Sequence, residues 1–481
     1  MLRLNHLRII RRQASSHSFQ KTLNLPQTKF PARSNVQKTY KELIPQSSQN
    51  VYSEQLSRFF AEYDNIRDKS EPERLKFIKD NLFVLHDGPP YANGDLHLGH
   101  ALNKILKDII NRYQMGQGKF IYYKPGWDCH GLPIEMKALK KLNSDQIEQI
   151  SPIKIRNIAS KHAAATQKKQ REQFEKFGIM TDWTDPYMTM APTYEVNQLE
   201  IFKKLFDFGL IKRQNKPVFW CTETRTALAE GELEYNENHK SVSAYVNFPL
   251  TEESVSDLRS KLRLDNITAV DCLIWTSTPW TLFSNQAICF NDRFDYSLVK
   301  VEGSQKMLIM GSDLIDQVGL PDQHMTVASF NGSLLNGLKY TNPLLNSGKK
   351  IDYPLINGSH VTNTAGTGLV HTAPGHGADD YLVGTKNGLP VFSPVDHKGN
   401  YDLSKFQENP KVEELLRNPR SEEKEGRNVL DPQTTALILQ ELQKLGMLMK
   451  TNEITHSYPY DWRSKKPIII RSTPQWFTNL E

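Results

Sequence analysis

The sequence has few cysteines and no long apolar run, and both deficits narrow the class of protein. Its 481 residues include four cysteines that are too scattered for a disulfide framework or a zinc cluster: Cys129, Cys221, Cys272 and Cys289. This usage predicts a reducing compartment. No segment approaches the roughly 18 apolar residues that span a bilayer, so we expect no membrane partner. The length favours two or three domains.

Acidic residues are missing from the beginning of the chain, where the first carboxylate is that of Glu42. The same stretch is rich in arginine and also carries serines and leucines. This composition is typical of a mitochondrial transit peptide, so we predict one over residues 1–45 and a destination in the mitochondrial matrix. The alternative is a disordered basic arm that touches RNA. The net charge of +6 fits a polyanionic partner but does not require one.

A strand, a turn and a helix are predicted in succession after residue 81. Residues 82–85 form an apolar run that predicts a buried strand, and residues 88–90 are a Gly-Pro-Pro turn signal. A helix then begins near His97. Four apolar residues at helical spacing predict its buried face: Leu98, Leu102, Ile105 and Ile109. Charged residues occupy the other face: Lys104, Lys107 and Asp108. This order is typical of the start of a doubly wound α/β sheet.

Further along, the pattern changes from helical to β-rich. Residues 151–215 are predicted to be mostly helical. After about residue 238, short β-rich runs are separated by Gly, Asn, Pro and Ser clusters, at 244–246, 273–275, 287–290 and 369–370. A helix is predicted over about 434–444 and a returning strand over 466–471. We therefore expect a β-rich domain inserted into the first domain.

Two histidines at the predicted helix start form the strongest chemical signal. His97 and His100 are three residues apart and so share one helix face. Free backbone N–H groups and the helix dipole at that position suit a polyphosphate. Gly99 lacks a side chain, so a flat base could approach the backbone closely. Taken alone, such a pair is more often an ordinary surface or core pair.

The surrounding segments carry a family resemblance. Residues 86–100, HDGPPYANGDLHLGH, resemble the signature of class I aminoacyl-tRNA synthetases, and the match continues at 103–108 and 125–135. It implies a Rossmann-like nucleotide-binding domain, interrupted by an inserted β-rich editing domain. It also implies that His97, Gly99 and His100 bind ATP, with Mg²⁺ accompanying the nucleotide. An amino acid carboxylate would attack the α-phosphorus, and the acyl group would then pass to tRNA without an enzyme nucleophile.

Two blocks resemble the isoleucyl members of the isoleucyl/valyl/leucyl subgroup, residues 89–94 and 471–477. The resemblance implies an isoleucine–tRNA ligase whose partners are ATP, isoleucine and isoleucine tRNA. By the same resemblance, Pro89 and Trp476 would wall an apolar pocket, and Asp128 would pair with the substrate ammonium. The alternatives are a core aromatic for Trp476 and a loop cap for Asp128. A valyl enzyme is a further alternative, which residues 473–475 argue against.

Two more blocks resemble the subgroup's editing domain, residues 274–282 and 366–381. Isoleucine and valine differ by one methylene, worth about 1–3 kcal/mol in enzymes of this class, so a second, hydrolytic site is needed. The resemblance assigns binding of the misattached valine's ammonium to Asp380 and exclusion of isoleucine to His371. The terminal adenosine and the attacking water would be oriented by three further residues: Thr276, Ser277 and Thr278. The alternative is a Thr- and Gly-rich set of turns without chemistry.

The chain departs from the family pattern at two places. Thr224 stands where bacterial relatives often have a second cysteine after Cys221, so we expect no structural zinc. The family's second signature, Lys-Met-Ser-Lys-Ser, does not occur, which leads us to expect a nucleotide-binding domain that is incomplete at its C-terminus and a chain with little charging activity alone. The predicted parts are a transit peptide (1–45), a first catalytic part (46–239), an editing insert (240–455) and a second catalytic part (456–481). A binding or editing protein that makes no adenylate is the alternative from another functional class.

Overall fold

The computed structural model describes residues 23–24, 27–29, 33–140, 142, 144–320, 323–345, 351–421 and 425–479. The first half of the predicted transit peptide, residues 1–22, lies outside these ranges. The chain divides into two compact units, which meet in sequence between Asp207 and Phe208. Among the described helices, none combines the length and the apolar character needed to cross a membrane.

The first unit is built mainly of helices. It begins with three short helical segments, an α-helical one at Val36–Lys38 and π-helical ones at Thr39–Leu43 and Gln46–Asn50. Its helices are α1 (Val51–Asp64), α2 (Glu71–Asn81), α3 (Leu98–Gly116), α4 (Leu132–Leu139), α5 (Ser144–Gln149), α6 (Pro152–Glu175) and α7 (Pro192–Asp207). Its strands are β1 (Leu82–His86), β2 (Phe120–Lys124), β3 (Gly126–Trp127) and β4 (Tyr187–Met188).

Parallel strand pairs organise this unit. Strand β1 pairs with β2, and α3 connects them; β3 pairs in parallel with β4. The strand predicted from residue 82 and the helix predicted from His97 are therefore present. The strand is not buried as predicted, since Val84 is 58% exposed and β1 pairs only with β2 among the described strands. The core beside the strands is aromatic, with Trp127 fully buried and the rings of Phe174 and Trp183 stacked 5.9 Å apart. This core packs β3 against α6 through the Trp127 and Phe174 rings.

The prediction of which face of α3 is buried was wrong. The polar residues Lys104 and Asn111 are 1% and 0% exposed, whereas the apolar residue Leu98 is 85% exposed. The other predicted core positions are also exposed: Leu102, Ile105 and Ile109. Two charged residues of this face have partners: Lys104 pairs with Asp87, and an Asp108 oxygen accepts a hydrogen bond from the Met180 backbone nitrogen at 2.7 Å. The side-chain amide of Asn111, by contrast, is buried without a hydrogen-bond partner among the described residues.

The second unit is rich in strands. They are β5 (Ile211–Cys221), β6 (Thr226–Leu228), β7 (Leu233–Pro249), β8 (Val270–Thr276), β9 (Ala287–Phe290), β10 (Asp295–Val301), β11 (Met307–Gly311), β12 (His324–Asn331), β13 (Lys339–Thr341), β14 (Asp352–Asn357), β15 (Val370–Thr372), β16 (Leu448–Asp461) and β17 (Ile469–Thr478). Its α-helices are α8 (Glu252–Leu262), α9 (Ile315–Val318), α10 (Ala378–Lys386), α11 (Pro410–Leu416) and α12 (Pro432–Lys444). Short 3-10 helices lie at Glu230–Glu232, Pro279–Ser284, Ser312–Leu314, Gly332–Leu335, Pro343–Leu345 and Leu403–Phe406.

The described strands of this unit form three sheets. A six-stranded sheet has the order β12-β10-β11-β8-β7-β16, a four-stranded sheet the order β13-β14-β9-β15, and a three-stranded sheet the order β17-β5-β6. Strands β7 and β16 pair antiparallel over most of their length and form a long ribbon. The β-rich texture predicted after residue 238 and the helix predicted near residue 434 are confirmed. A strand is also present near the position predicted for the last strand: β17 begins at Ile469 rather than at residue 466 and pairs with β5.

Candidate functional site

Two histidine rings close the N-terminus of α3. Nδ1 of His97 accepts a hydrogen bond from the Gly99 backbone nitrogen at 3.1 Å, and Nδ1 of His100 accepts one from the His97 nitrogen at 3.2 Å. The two ring centroids are 4.0 Å apart. A nitrogen that accepts a hydrogen bond carries no proton, so both rings carry theirs on Nε2. Burial, His97 and Lys104 together lower the pKa of His100, which favours the neutral ring.

A cavity of about 330 Å³ lies beside these rings. Its lining includes four residues predicted for nucleotide or amino acid binding: Pro89, His97, Gly99 and His100. A Cβ atom on Gly99 would come within 2.9 Å of the His97 ring, so a larger residue would push that ring out of its capping position. The glycine is thus required for the histidine cap itself, in addition to the predicted access for a base.

A buried ion pair lies behind the histidines. The carboxylate of Asp87 pairs with Lys104 and, at 2.7 Å, with Lys107, and it also accepts hydrogen bonds from the Tyr123 hydroxyl and the Gly126 nitrogen. Burial opposes its ionisation, but the charge of Lys104 and these hydrogen bonds hold the pKa of Asp87 below its usual range. Burial lowers the pKa of Lys104 to about 8, against the attraction of Asp87. Both groups are therefore charged at neutral pH.

The loop before α3 is held by hydrogen bonds to its backbone groups. Asp128, predicted to bind the substrate ammonium, donates its backbone N–H to the Pro90 carbonyl at 2.9 Å and accepts from the Ala92 nitrogen at 2.8 Å. Nε2 of Gln170 on α6 donates to the carbonyls of Tyr91 and Gly94. The half-buried Asp128 side chain accepts a hydrogen bond from the His130 nitrogen at 3.3 Å. These bonds give the Pro89–Ala92 turn a fixed shape beside the cavity.

Two residues of the second unit bear on the sequence predictions: Trp476, predicted to wall the amino acid pocket, and Cys221, where no zinc was expected. Trp476 lies on β17, opposite Arg213 of β5, and is 49% exposed. The thiol of Cys221 lies 3.5 Å from the Ser464 hydroxyl and accepts a hydrogen bond from the Thr224 nitrogen at the same distance. Within the described ranges, no group of three or more His, Cys, Asp or Glu side chains is arranged to hold a metal ion.

The threonine-rich loop of the predicted editing site follows β8. The Thr276 hydroxyl accepts a hydrogen bond from the Thr278 nitrogen at 3.1 Å. Thr276 is buried, whereas Ser277 and Thr278 line a cavity of about 590 Å³ together with the β7–β16 ribbon and α12. Asp380 and His371 are not among the residues that line this cavity. The structure thus brings two of the five predicted editing residues to its wall.

His371 is buried behind the loop. Its Nε2 is 3.0 Å from the Thr281 hydroxyl, and its Nδ1 is 2.8 Å from the side-chain nitrogen of Asn285. Burial, with a contribution from His376, lowers the pKa of His371 to about 3. The ring therefore stays neutral at physiological pH, and both nitrogens are used within the protein.

Asp380 lies in the first turn of α10. Its carboxylate accepts a hydrogen bond from the Ala373 nitrogen at 2.8 Å. Burial raises its pKa, opposed by this hydrogen bond and by His360. A half-buried carboxylate in such surroundings would gain from a cationic partner.

Sequence reasoning missed four residues of these sites: Asp87, Lys104, Thr281 and Asn285. Lys104 had a usable signal, since it follows His100 by four residues and so shares the histidine face of the helix. Asp87 and Asn285 gave no comparable signal, because their partners lie far away in the sequence.

The comparisons with known proteins identify the family of this chain. The family profile described as tRNA synthetases class I (I, L, M and V) matches residues 63–481. The chain belongs to this family of class I tRNA synthetases, as the sequence blocks predicted.

Two curated relatives and one solved structure show how similar the chain is to individual proteins. The chain is 59% identical to the mitochondrial isoleucine–tRNA ligase of Saccharomyces cerevisiae, over 98% of this chain and 46% of that protein. It is 43% identical to the isoleucine–tRNA ligase of Microcystis aeruginosa, over 97% of this chain and 45% of that protein. A solved ternary complex of an Agrobacterium radiobacter K84 LeuRS with tRNA and LeuAMS matches with a TM-score of 0.30 and 17% identity, over 81% of this chain and 45% of that one. The chain spans a little under half the length of these relatives.

Proposed function

We propose that the protein activates isoleucine with ATP and transfers it to isoleucine tRNA, and that the cavity beside His97 and His100 receives the nucleotide. The observation that carries this proposal is the state of the two rings. Because both Nδ1 atoms accept backbone hydrogen bonds, both Nε2 atoms remain as donors. Two ring donors at a helix N-terminus, where the dipole is positive, suit the oxygens of a triphosphate.

In the reaction we infer, the isoleucine carboxylate attacks the α-phosphorus of ATP, pyrophosphate leaves, and isoleucyl-adenylate forms. The Nε2–H groups of His97 and His100 would stabilise the negative charge that grows on the phosphate oxygens. Pro89 and Trp476 are proposed to contact the isoleucine side chain and Asp128 its ammonium group. A hydroxyl of the terminal tRNA ribose would then take the acyl group.

Mg²⁺ would enter with the ATP. It would neutralise phosphate charge, a role that needs no dedicated protein cage. The histidine donor set does not fit metal ligation, since the Nε2 atoms carry protons and the Nδ1 atoms already accept hydrogen bonds. We therefore assign the histidines to phosphate and not to the metal.

The test measures isoleucine-dependent exchange of pyrophosphate into ATP. The protein assayed is the natural polypeptide that contains this chain. His97→Asn keeps a good helix cap but removes the Nε2 donor, so we expect exchange to fall by about 10²–10³-fold. His162→Asn on α6 is the matched control and should exchange normally. Exchange that is unchanged in His97→Asn, or as fast with valine as with isoleucine, would contradict the proposal.

We also propose that the second unit contributes an editing site that hydrolyses valine misattached to isoleucine tRNA, within the insert predicted at residues 240–455. Support comes from the half-buried Asp380 carboxylate, whose pKa is raised by burial. A cationic amine bound beside it would lower that pKa and stabilise the ionised form. Ser277 and Thr278 line a cavity large enough for part of a nucleotide. Asp380→Ala should abolish hydrolysis of valyl-tRNA, and Asp379→Ala, its exposed neighbour, should not. Equal rates in the two variants would remove Asp380 from the role.

We propose that the protein is located in the mitochondrial matrix. Two observations support this: the N-terminal stretch is basic and has no acidic residue, and a similar yeast protein is a mitochondrial isoleucine–tRNA ligase. Residues 1–45 fused to a fluorescent reporter should direct it to mitochondria. The same fusion carrying Arg11→Glu and Arg12→Glu is the control. A reporter that stays in the cytosol with the natural sequence would contradict the proposal.

A further inference from the structure

A turn of the second unit covers the edge of strand β17. Among the described strands, β17 lies at the end of its sheet and pairs only with β5, and an uncovered strand edge is a liability. The Ser472 nitrogen donates a hydrogen bond to the Gly375 carbonyl at 2.8 Å. The Ile470 carbonyl lies 2.8 Å from Nδ1 of His376. Because the two strand residues are two positions apart, both bonds leave the same side of β17.

The histidine of this turn has one hydrogen-bonding role. A carbonyl can only accept, so Nδ1 of His376 carries a proton and donates it to Ile470. Burial lowers the pKa of His376 to about 4, so the ring is neutral and Nε2 carries no proton. Within the described residues, this Nε2 is buried without a hydrogen-bond partner. The ring also packs against Trp280, with the two centroids 4.9 Å apart.

Packing alone does not account for a histidine at this position. A phenylalanine ring would occupy similar space without burying an unpaired nitrogen, which is costly in a protein interior. The side chain of His376 is 8% exposed and lines neither of the two cavities described above. The property that the imidazole adds to an apolar ring is therefore the hydrogen bond to Ile470.

The same turn holds the carboxylate of Asp380. The Ala373 nitrogen donates to this carboxylate at 2.8 Å, and the Ala373 carbonyl accepts a hydrogen bond from the His376 backbone nitrogen at 2.8 Å. The turn has little room to adjust, since a Cβ atom on Gly375 would collide with the Phe392 carbonyl. Asp380 and the edge of β17 are thus joined through a short, closely packed segment.

We propose that His376 is a positioning residue that ties Asp380, through this turn, to the strand that carries Trp476. The inference rests on the proposed function, which assigns Asp380 to editing and Trp476 to the isoleucine pocket. The tie gives the two candidate sites a common support, so a change at His376 alters both. Since His376 lines neither cavity, it acts through the backbone of β17 and of the turn.

Two substitutions separate the hydrogen bond from the packing. His376→Phe keeps most of the volume of the ring but removes the donor. His376→Asn keeps an N–H donor at the position of Nδ1 but loses volume. Each variant is compared with the wild type in the natural polypeptide that contains this chain. A role in packing alone would make His376→Asn the more damaging change, whereas the proposed tie makes His376→Phe the more damaging one.

Three measurements report on the tie. Backbone hydrogen exchange of the β17 peptides should be about 10-fold faster in His376→Phe, the weight of one buried hydrogen bond, and close to wild type in His376→Asn. The KM for isoleucine in pyrophosphate exchange should rise by about 10-fold in His376→Phe with little change in kcat, because a pocket wall contributes to binding. Hydrolysis of valyl-tRNA(Ile) should fall by about 10²-fold in the same variant.

Failure of this inference differs from failure of the proposed function. A wild type that shows neither isoleucine-dependent exchange nor hydrolysis of valyl-tRNA(Ile) overturns the proposed function and the coupling of the two sites with it. In an active wild type, the tie alone is overturned when His376→Asn is the more damaged variant, or when His376→Phe changes only one of the two activities. Should His376→Phe fail to fold, nitrogen NMR of ring-labelled wild type decides: a proton on Nδ1 supports the tie, and a proton on Nε2 contradicts it.

Discussion

Helix α3 of the first unit and helix α12 of the second carry apolar residues at similar spacing, but they bury different kinds of side chain. Helix α12 buries Ile438 and Leu442 in the ordinary way. Helix α3 buries Lys104, Asp108 and Asn111 and exposes its leucines and isoleucines.

The two helices show that the groups available to pair with a helix's polar side chains decide which face of that helix is buried. Lys104 meets the Asp87 carboxylate, and Asp108 meets Arg112 and the Met180 nitrogen. A buried charge is tolerated only when it is paired and hydrogen-bonded. The histidine pair at the start of α3 lies near the same polar face, so the arrangement that pairs Lys104 also places His100 beside the cavity.

The largest effect is expected from removing the partner of the buried lysine. Asp87→Ala should destabilise the first unit by about 3–5 kcal/mol, because Lys104 would remain buried without its counter-charge. Hydrogen exchange of the β1 and β2 peptides in increasing urea measures this. Asp80→Ala, which breaks an exposed ion pair with Lys76, is the control and should change little. Similar losses in the two variants would show that the buried pair has no special weight.

A matched pair of isoleucines tests the comparison of the two helices directly. Ile438 on α12 is fully buried and Ile109 on α3 is 57% exposed. We expect Ile438→Ala to cost about 2–5 kcal/mol in its unit and Ile109→Ala to stay within about 0.5 kcal/mol. The same urea-dependent exchange, read on peptides of each helix, gives both values. A large loss of stability in Ile109→Ala would show that the apolar face of α3 is buried in a core after all.

The buried histidine of the second unit makes the stability of that unit depend on pH. The pKa of His371 is about 3 in the folded protein and 6.5 when exposed, so the unfolded state binds more protons between these values. Stability should therefore fall as the pH drops from about 6.5 toward 3, by about 1.4 kcal/mol per pH unit from this group. His376, whose pKa burial lowers to about 4, adds a similar slope over its narrower window.

His371→Gln removes one of these two slopes. Urea unfolding of the second unit at several pH values should show a pH dependence shallower by about 1.4 kcal/mol per pH unit than in the wild type. His97→Gln is the control, because its ring is exposed in the other unit. Identical slopes in His371→Gln and wild type would mean that His371 is protonated in the folded protein.

The sequence by itself determined the family, the position of β1 and the start of α3, and the pairing of His97 with His100. These are local features: an apolar run, a turn signal, and two side chains three residues apart. The family blocks likewise pointed to Ser277, Thr278 and Asp380, although their proposed chemistry stays a prediction.

Only the tertiary structure decided which face of α3 is buried and how His371 is held. Lys104 pairs with a carboxylate 17 residues away, and Asn285 reaches a histidine 86 residues away. A prediction from helical periodicity assumes that apolar side chains enter the core. It contains no information about residues far away in the sequence that can neutralise a buried charge. The burial of Lys104 and the hydrogen bonds that hold His371 depend on such groups, and folding alone brings them together.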